Sequence, residues 1–353
     1  MTPLGRPHPS LLYLSRSDVE QACAHLDPVG TVREALLLHA AGRTTLPEEA
    51  YLPWDTSVGT FARSISLPGA LWGERPALGV KTINSSLVNP SHGLPRAQGL
   101  ITLFDHDTAY PTAVLEAAHI SALRTAAYTV LSTRVLAAKG CERVAVIGCG
   151  ALAAAHVRLL VAELGEKTAF HVYDLDPSQA QSLAATLRAT GVDVRTAASA
   201  RAAVTGAQLV VTTTVTTTGY LPFAWLDPGT LVAHVSLDDV LPDVVALSDL
   251  VVVDDWSLVS HDDRRLLGRM YRSGDLAGPD GELFEAEAEA DGARARKVDA
   301  TLADIVSGSR PGRRTPEQII LSNPFGMGIL DVAVAAEVLH TATALGLGRT
   351  LPR

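Results

Sequence analysis

The stretch RVAVIGCGALA, Arg143 to Ala153, decides the fold. An apolar run (Val144, Val146, Ile147) meets Gly148, and the spacing Gly148, Gly150, Ala153 reads G-x-G-x-x-A. The residues that follow, AAHVRLLVAEL, have a helical period. In that strand–turn–helix setting each position has a reason. Gly148 permits the tight turn, Gly150 lets the backbone approach a pyrophosphate, and Ala153 is small enough for helix to pack on strand. The helix start supplies free N–H groups and the positive end of its dipole. An ordinary βα turn with chance glycines has the same letters. The next strand, FHVYD, separates the two readings, because it ends on Asp174, where an acid hydrogen-bonds the adenine ribose. Asp174-Leu175-Asp176-Pro177 holds no Arg or Lys for a further phosphate, so the pattern predicts NAD over NADP.

Outward from this turn, VRTAAS, LVVTTTV, TLVAHVSL and DLVVVDD are short apolar runs, several separated by helical stretches such as PSQAQSLAATLRATG. Apolar strands alternating with helices predict an α/β, Rossmann-type, doubly wound parallel sheet over residues 135–315. Residues 1–134 have another rhythm. RSDVEQACAHLDPVGTVREALLLHAAG reads as two helices, TFARSISLP, ALGVKTINS and GLITLFD as strands, and AVLEAAHISALRTAAYTVLSTRVLAA as one long helix. The tail 316–353, with a strand-like EQIILSN, a PFGMG turn and a helix, is too short to stand alone. It is expected to join 1–134 in a discontinuous α+β domain. GELFEAEAEADGARARK reads as a solvated helix face.

The chain has 353 residues, 47% hydrophobic and 19% charged, which suits two globular domains and excludes a disordered chain. A net charge of −9 argues against a nucleic-acid partner, since phosphate contacts need a basic face. No apolar stretch is long enough to span a membrane, and MTPLGRPHPSLLYLSRSD does not read as a signal peptide. Cys23, Cys141 and Cys149 form neither a disulfide framework nor a zinc pattern, which predicts a cytoplasmic protein without a metal.

Several side chains stand out as chemistry. Lys81 sits among Leu, Val and Ile in ALGVKTINS. Burial of its ammonium requires a partner, and an edge lysine facing solvent is the plainer alternative. Arg124 lies inside an apolar helix, as a ligand group or a structural arginine. Arg63 and Arg96 are strand-end or loop arginines. Asp238 and Asp239 follow the strand TLVAHVSL at its carboxyl end, where open α/β sheets bind ligands; one of them as a helix N-cap is the competing reading. His234, inside that strand, reads as a core histidine. Thr212, Thr213 and Thr214 close LVVTTTV and are placed to line a dinucleotide.

Together these pieces resemble the ornithine cyclodeaminase/mu-crystallin family. The resemblance is carried by GVK (Lys81), GLPRAQG, LEAAHISALRTAA (Arg124), VAVIGCGALA, VYDLD and PFGMGILDVAVA, in family order from about residue 60 to 340. ARSISLPGAL, NPSHGLPRAQG and HVSLDDVLPDVV are similar to the branch that makes 2,3-diaminopropionate for siderophores and peptide antibiotics. The resemblance implies NAD-dependent oxidation of a glutamyl Cα–N bond, hydrolysis of the imine to 2-oxoglutarate and L-2,3-diaminopropionate, and a homodimer built through the discontinuous domain. Ornithine or lysine cyclodeaminase, alanine dehydrogenase, ketimine reductase and a non-catalytic ligand-binding protein are the alternatives. It further implies substrate contact for Lys81 and Met327, cofactor contact for Arg124, Ala151, Leu152, Asp174, Thr213 and Asp239, and a catalytic role for Asp238. Hydride leaves carbon only when the neighbouring nitrogen is neutral, which calls for a base. Asp238 is the first candidate and Lys81 the second, with Arg63 and Arg96 as carboxylate clamps. One departure stands out: the family's early basic residue is replaced by Pro47-Glu48-Glu49.

Overall fold

The computed structural model describes residues 10–284 and 295–352. The centre of the acidic stretch read as a helix face, 285–294, lies outside the described residues. The chain forms two compact units, Met1–Arg124 with Met327–Arg353, and Thr125–Gly326. The sequence reading puts the divisions at 134/135 and 315/316. In the structure the first falls within the helix Ala117–Leu136 and the second in the glycine turn before Met327.

The first unit is built on a mostly antiparallel sheet. Its strand order is Arg349–Leu351, Leu11–Leu14, Pro111–Glu116, Ala97–Phe104, Ala77–Ser86, Phe61–Leu71 and Thr44–Thr45, with Ala50–Asp55 also paired to Phe61–Leu71. The hairpin Phe61–Leu71/Ala77–Ser86 keeps one register throughout, with Leu67 opposite Lys81 and Arg63 opposite Ser85. Three helices accompany the sheet: Arg16–Cys23, Pro28–Ala40 and Gly328–Ala344. Their starts follow local chemistry. Ser15 and Asp18 form a capping box, and Asp27 caps a helix that opens on Pro28. Val29, Val32, Ala35 and Leu36 recur at helical spacing and are buried.

Contact between sheet and last helix depends on two glycines. A Cβ on Gly69 would lie 2.8 Å from the Ile329 nitrogen, and one on Gly328 2.5 Å from the Pro68 carbonyl oxygen. With hydrogens in both places, the helix start lies directly on the strand, which sets the depth of Asp331, one turn on. The helix expected from Ala113 onward starts later. Pro111–Glu116 is a strand in the sheet, and the Glu116 carboxylate accepts from the N–H groups of Ala118 and His119 to start Ala117–Leu136.

The second unit is the predicted Rossmann-type sheet. Its eight strands are all parallel, in the order Val194–Thr196, Ala169–Tyr173, Arg143–Ile147, Leu209–Thr212, Leu231–His234, Ile320–Asn323, Leu250–Val253, Ala300–Thr301. The order reverses at Arg143–Ile147, which places the glycine turn at the switch point. Ile320–Asn323, grouped by the sequence reading with 316–353 in the first domain, pairs inside this sheet between Leu231–His234 and Leu250–Val253. Its residues are all buried, as a central parallel strand requires.

Candidate active site

The glycine turn is formed as its letters demand. Gly148 has φ +89°, and a Cβ there would lie 2.8 Å from the Thr213 carbonyl carbon. Thr213 seals this contact, its hydroxyl donating to the Gly148 carbonyl at 2.8 Å. Gly150 is the N-cap of Ala151–Leu164 and makes no side-chain capping bond; nothing lies within 4 Å of where its Cβ would be. The first turn, with Ala151 and Leu152, therefore presents N–H donors beside open space, while Ala153 is fully buried against the sheet. Asp174 accepts from the Cys149 N–H at 2.7 Å and the Asp176 N–H at 2.9 Å, so the acid at the strand end and the glycine turn are one structure. A positive-φ turn, room for backbone approach, an uncapped helix start and a strand-end acid fit a dinucleotide.

Beside it, the strand Leu231–His234 ends in a polar knot. Asp239 is completely buried and accepts from Thr214 Oγ1 (2.7 Å), Tyr220 OH (2.9 Å) and the Ser236 hydroxyl. Burial, then the neighbouring Asp239 charge, pushes the Tyr220 phenol up, so it stays a donor. His234 Nε2 accepts from the Asp239 N–H at 2.9 Å, which leaves Nδ1 to donate to Asn323 Oδ1 at 2.7 Å. Burial lowers the His234 pKa and keeps the ring neutral. Asp239 thus binds protein groups through both oxygens. Asp238 is held by Arg269 at 2.9 Å. Neither aspartate caps the following helix, whose N-cap is Leu241. Leu237, which precedes the pair, has a left-handed backbone (φ +75°), a conformation that costs roughly 1–2 kcal/mol.

In the other unit, Lys81 is no edge lysine. Its strand is central, its side chain is 2% exposed, and its Nζ donates to Asp331 Oδ2 at 2.7 Å and Ser121 Oγ at 3.2 Å. Arg124 Nε donates to the second Asp331 oxygen at 3.0 Å. One fully buried carboxylate therefore serves two cations. Burial lowers the Lys81 pKa to about 8; Asp331 opposes this, Arg124 adds to it, and Glu49 opposes it weakly. Asp331, in PFGMGILDVAVA, carries no role assigned from sequence. The signal was a single acid in an otherwise apolar run, Met327 to Ala336, which burial permits only with partners. Met327 is itself fully buried at the N-cap of that helix. Arg63 and Arg96 are half-buried, and Arg63 Nε donates to Ser85 Oγ at 3.3 Å.

The model of the ornithine cyclodeaminase/mu-crystallin family matches residues 11–345. The chain belongs to that family. N-((2S)-2-amino-2-carboxyethyl)-L-glutamate dehydrogenase of Staphylococcus aureus (strain NCTC 8325 / PS 47) is 33% identical over 347 residues, 97% of this chain and 98% of that protein. The crystal structure of CmnK matches with a TM-score of 0.87 at 40% identity, over 98% of this chain and 99% of that one. Thermococcus litoralis Delta(1)-pyrroline-2-carboxylate reductase, in complex with NADH and L-proline, matches with a TM-score of 0.82 at 25% identity, over 97% and 100%. As a member of the ornithine cyclodeaminase/mu-crystallin family, the protein is an NAD-dependent oxidoreductase acting on a CH–NH bond. The residues of its glycine turn fit NAD. Glu49 lies near enough to Lys81 for the two charges to interact.

Proposed function

We propose that the protein oxidises N-(2-amino-2-carboxyethyl)-L-glutamate with NAD and hydrolyses the product to 2-oxoglutarate and L-2,3-diaminopropionate, a building block for siderophores or peptide antibiotics. The observation that carries the substrate is the full-length likeness to the Staphylococcus aureus dehydrogenase. The Lys81 cluster supports the chemistry.

NAD, when bound, supplies the acceptor for the hydride that leaves the glutamyl Cα. The turn Gly148–Leu152 binds the pyrophosphate through backbone N–H groups and Asp174 the ribose, with Thr213 keeping the turn in shape. The chain's own task is to keep the substrate nitrogen neutral. A lysine lowered to about 8 is neutral in roughly a tenth of molecules at pH 7 and in about half near pH 8, and in that form can take the proton. Asp238, the first candidate from sequence, is ion-paired with Arg269 at 2.9 Å, whereas burial draws Lys81 toward its neutral form, so Lys81 is taken as the base and Asp238 is given a positioning role near its strand end. Water then adds to the imine carbon and the C–N bond breaks. The balance is one water consumed and one NADH and one proton released.

The exposed Leu52, Trp54 and Leu100 on the first unit's sheet support the proposed homodimer, which sedimentation would test. Three free cysteines support a cytoplasmic setting. The deciding experiment is anaerobic incubation with NAD and N-(2-amino-2-carboxyethyl)-L-glutamate, L-ornithine, L-lysine or L-alanine, following absorbance of reduced cofactor and the amine products by mass spectrometry. Stoichiometric NADH and 2,3-diaminopropionate from the first compound alone is the expected result. Turnover of another compound and none of the first would refute the assignment.

A further inference from the structure

Arg63 and Arg96 have no acid to answer them. Among the described residues the Arg96 side chain makes no hydrogen bond or ion pair, and the one polar contact of the Arg63 guanidinium is the Ser85 hydroxyl. The two arginines lie at one end of the sheet. Arg63 is opposite Ser85, Ser85 is opposite Ala97, and Arg96 immediately precedes Ala97. They are close enough for the charge of Arg63, after burial, to lower the pKa of Arg96. Two neighbouring, half-buried guanidiniums repel each other and lose water, a cost relieved by a bound anion that takes both forks.

Their place relative to Lys81 gives this meaning. Lys81, Ile83 and Ser85 alternate to the same face of one strand, and Leu67, Ile65 and Arg63 share that face on its neighbour. From Lys81 to Ser85 the backbone advances about 13 Å, which sets Arg63 and Lys81 at separate points of one face. We infer that Arg63 and Ser85 on the Lys81 face, together with Arg96 at the adjoining strand end, form a second-carboxylate subsite, which selects a dicarboxylic amino acid over a diamino acid or one with an apolar side chain. Ornithine or lysine would direct an ammonium at two guanidiniums, and alanine or proline would leave the pair unanswered. The inference rests on the proposed function for the class of substrate, and its test is independent of turnover.

The test is calorimetric binding of 2-oxoglutarate and of 2-oxopentanoate, which differ only in the second carboxylate, to the NADH-loaded protein. The expected result is a preference for 2-oxoglutarate of about tenfold to hundredfold. Arg96→Met and Arg63→Met should abolish it, and Arg96→Lys should restore part of it. Melting temperatures confirm that each variant is folded. No preference in the unaltered protein, or one that survives both Met variants, overturns the subsite. A preference lost in the variants establishes it even if no NADH forms from the proposed substrate, in which case only the reaction fails.

Discussion

Asp331 accepts the Lys81 ammonium at 2.7 Å across 250 residues of sequence, with both side chains shut away from water. The same carboxylate accepts Arg124 through its other oxygen. The charge sum of that trio is positive. The Lys81–Asp331 ion pair is therefore only partly compensated, and burial brings Lys81 to about 8.

Lys81→Met should abolish the base and leave the glycine turn intact. We expect kcat to fall by about 10²–10⁴, with NAD affinity, read by quenching of tryptophan fluorescence, within a few-fold of the original. Turnover near the original rate would show that another group takes the proton.

The pH profile follows from the sign of the shift. Neutral Lys81 is the active form, so kcat/KM should rise through about pH 8 and then level off. Asp331, Arg124 and Glu49 are the charges that act on it. For stability the sign is the same. A lysine whose folded value lies below its unfolded one binds fewer protons when folded, so this group favours folding as pH climbs from about 8 toward the ordinary lysine range. A profile flat between pH 6 and 9 would contradict the assignment.

Asp331→Asn removes the carboxylate and leaves two buried cations. Breaking such an arrangement should cost about 3–5 kcal/mol, seen in denaturant unfolding. Because Asp331 holds the Lys81 pKa up, the rising limb of the remaining activity should move to lower pH. A limb that stays in place would mean that the active base is not in contact with Asp331.

Gly69→Ala tests how the helix is seated. The added methyl would meet the Ile329 backbone at 2.8 Å, and backbone at a helix start has little room to give. A loss of roughly 1–3 kcal/mol is expected, together with a changed pH limb as Asp331 shifts from Lys81. An unaltered Tm and profile would show that strand and helix are not as close as described.

Asp174→Ser should narrow the preference for NAD over NADP by about tenfold, because the acid both suits a ribose hydroxyl and repels a phosphate. It should also loosen the turn, since Asp174 accepts the Cys149 N–H. Steady-state kinetics with both cofactors would check this, and an unchanged ratio would count against a ribose contact.

Local chemistry made much of this legible. RVAVIGCGALA could be read because strand, turn and helix are contiguous, and each glycine answers a local demand for φ or space. Ala151–Leu164 begins and ends where its letters suggested. Other readings required the neighbours. AVLE, Ala113 to Glu116, is rich enough in helix-compatible residues to join the helix after it, yet the sheet claims it through Ala97–Phe104 and Leu11–Leu14. EQIILSN lies beyond the Rossmann stretch in sequence but at the centre of its sheet in space. Asp238 and Asp239 look equivalent on paper; in the structure one meets Arg269 and the other is buried against Thr214.

Sequence by itself determined the dinucleotide half and the suspicion attached to Lys81, Arg124, Arg63 and Arg96, because periodicity, turn conformation and the cost of burying charge are properties of a few consecutive residues. Only the tertiary structure decided which charges answer each other. Asp331 became the partner of Lys81 and Arg124 because two glycines let a C-terminal helix settle on an N-terminal strand, and Coulomb attraction depends on distance in space, which the order of residues does not contain.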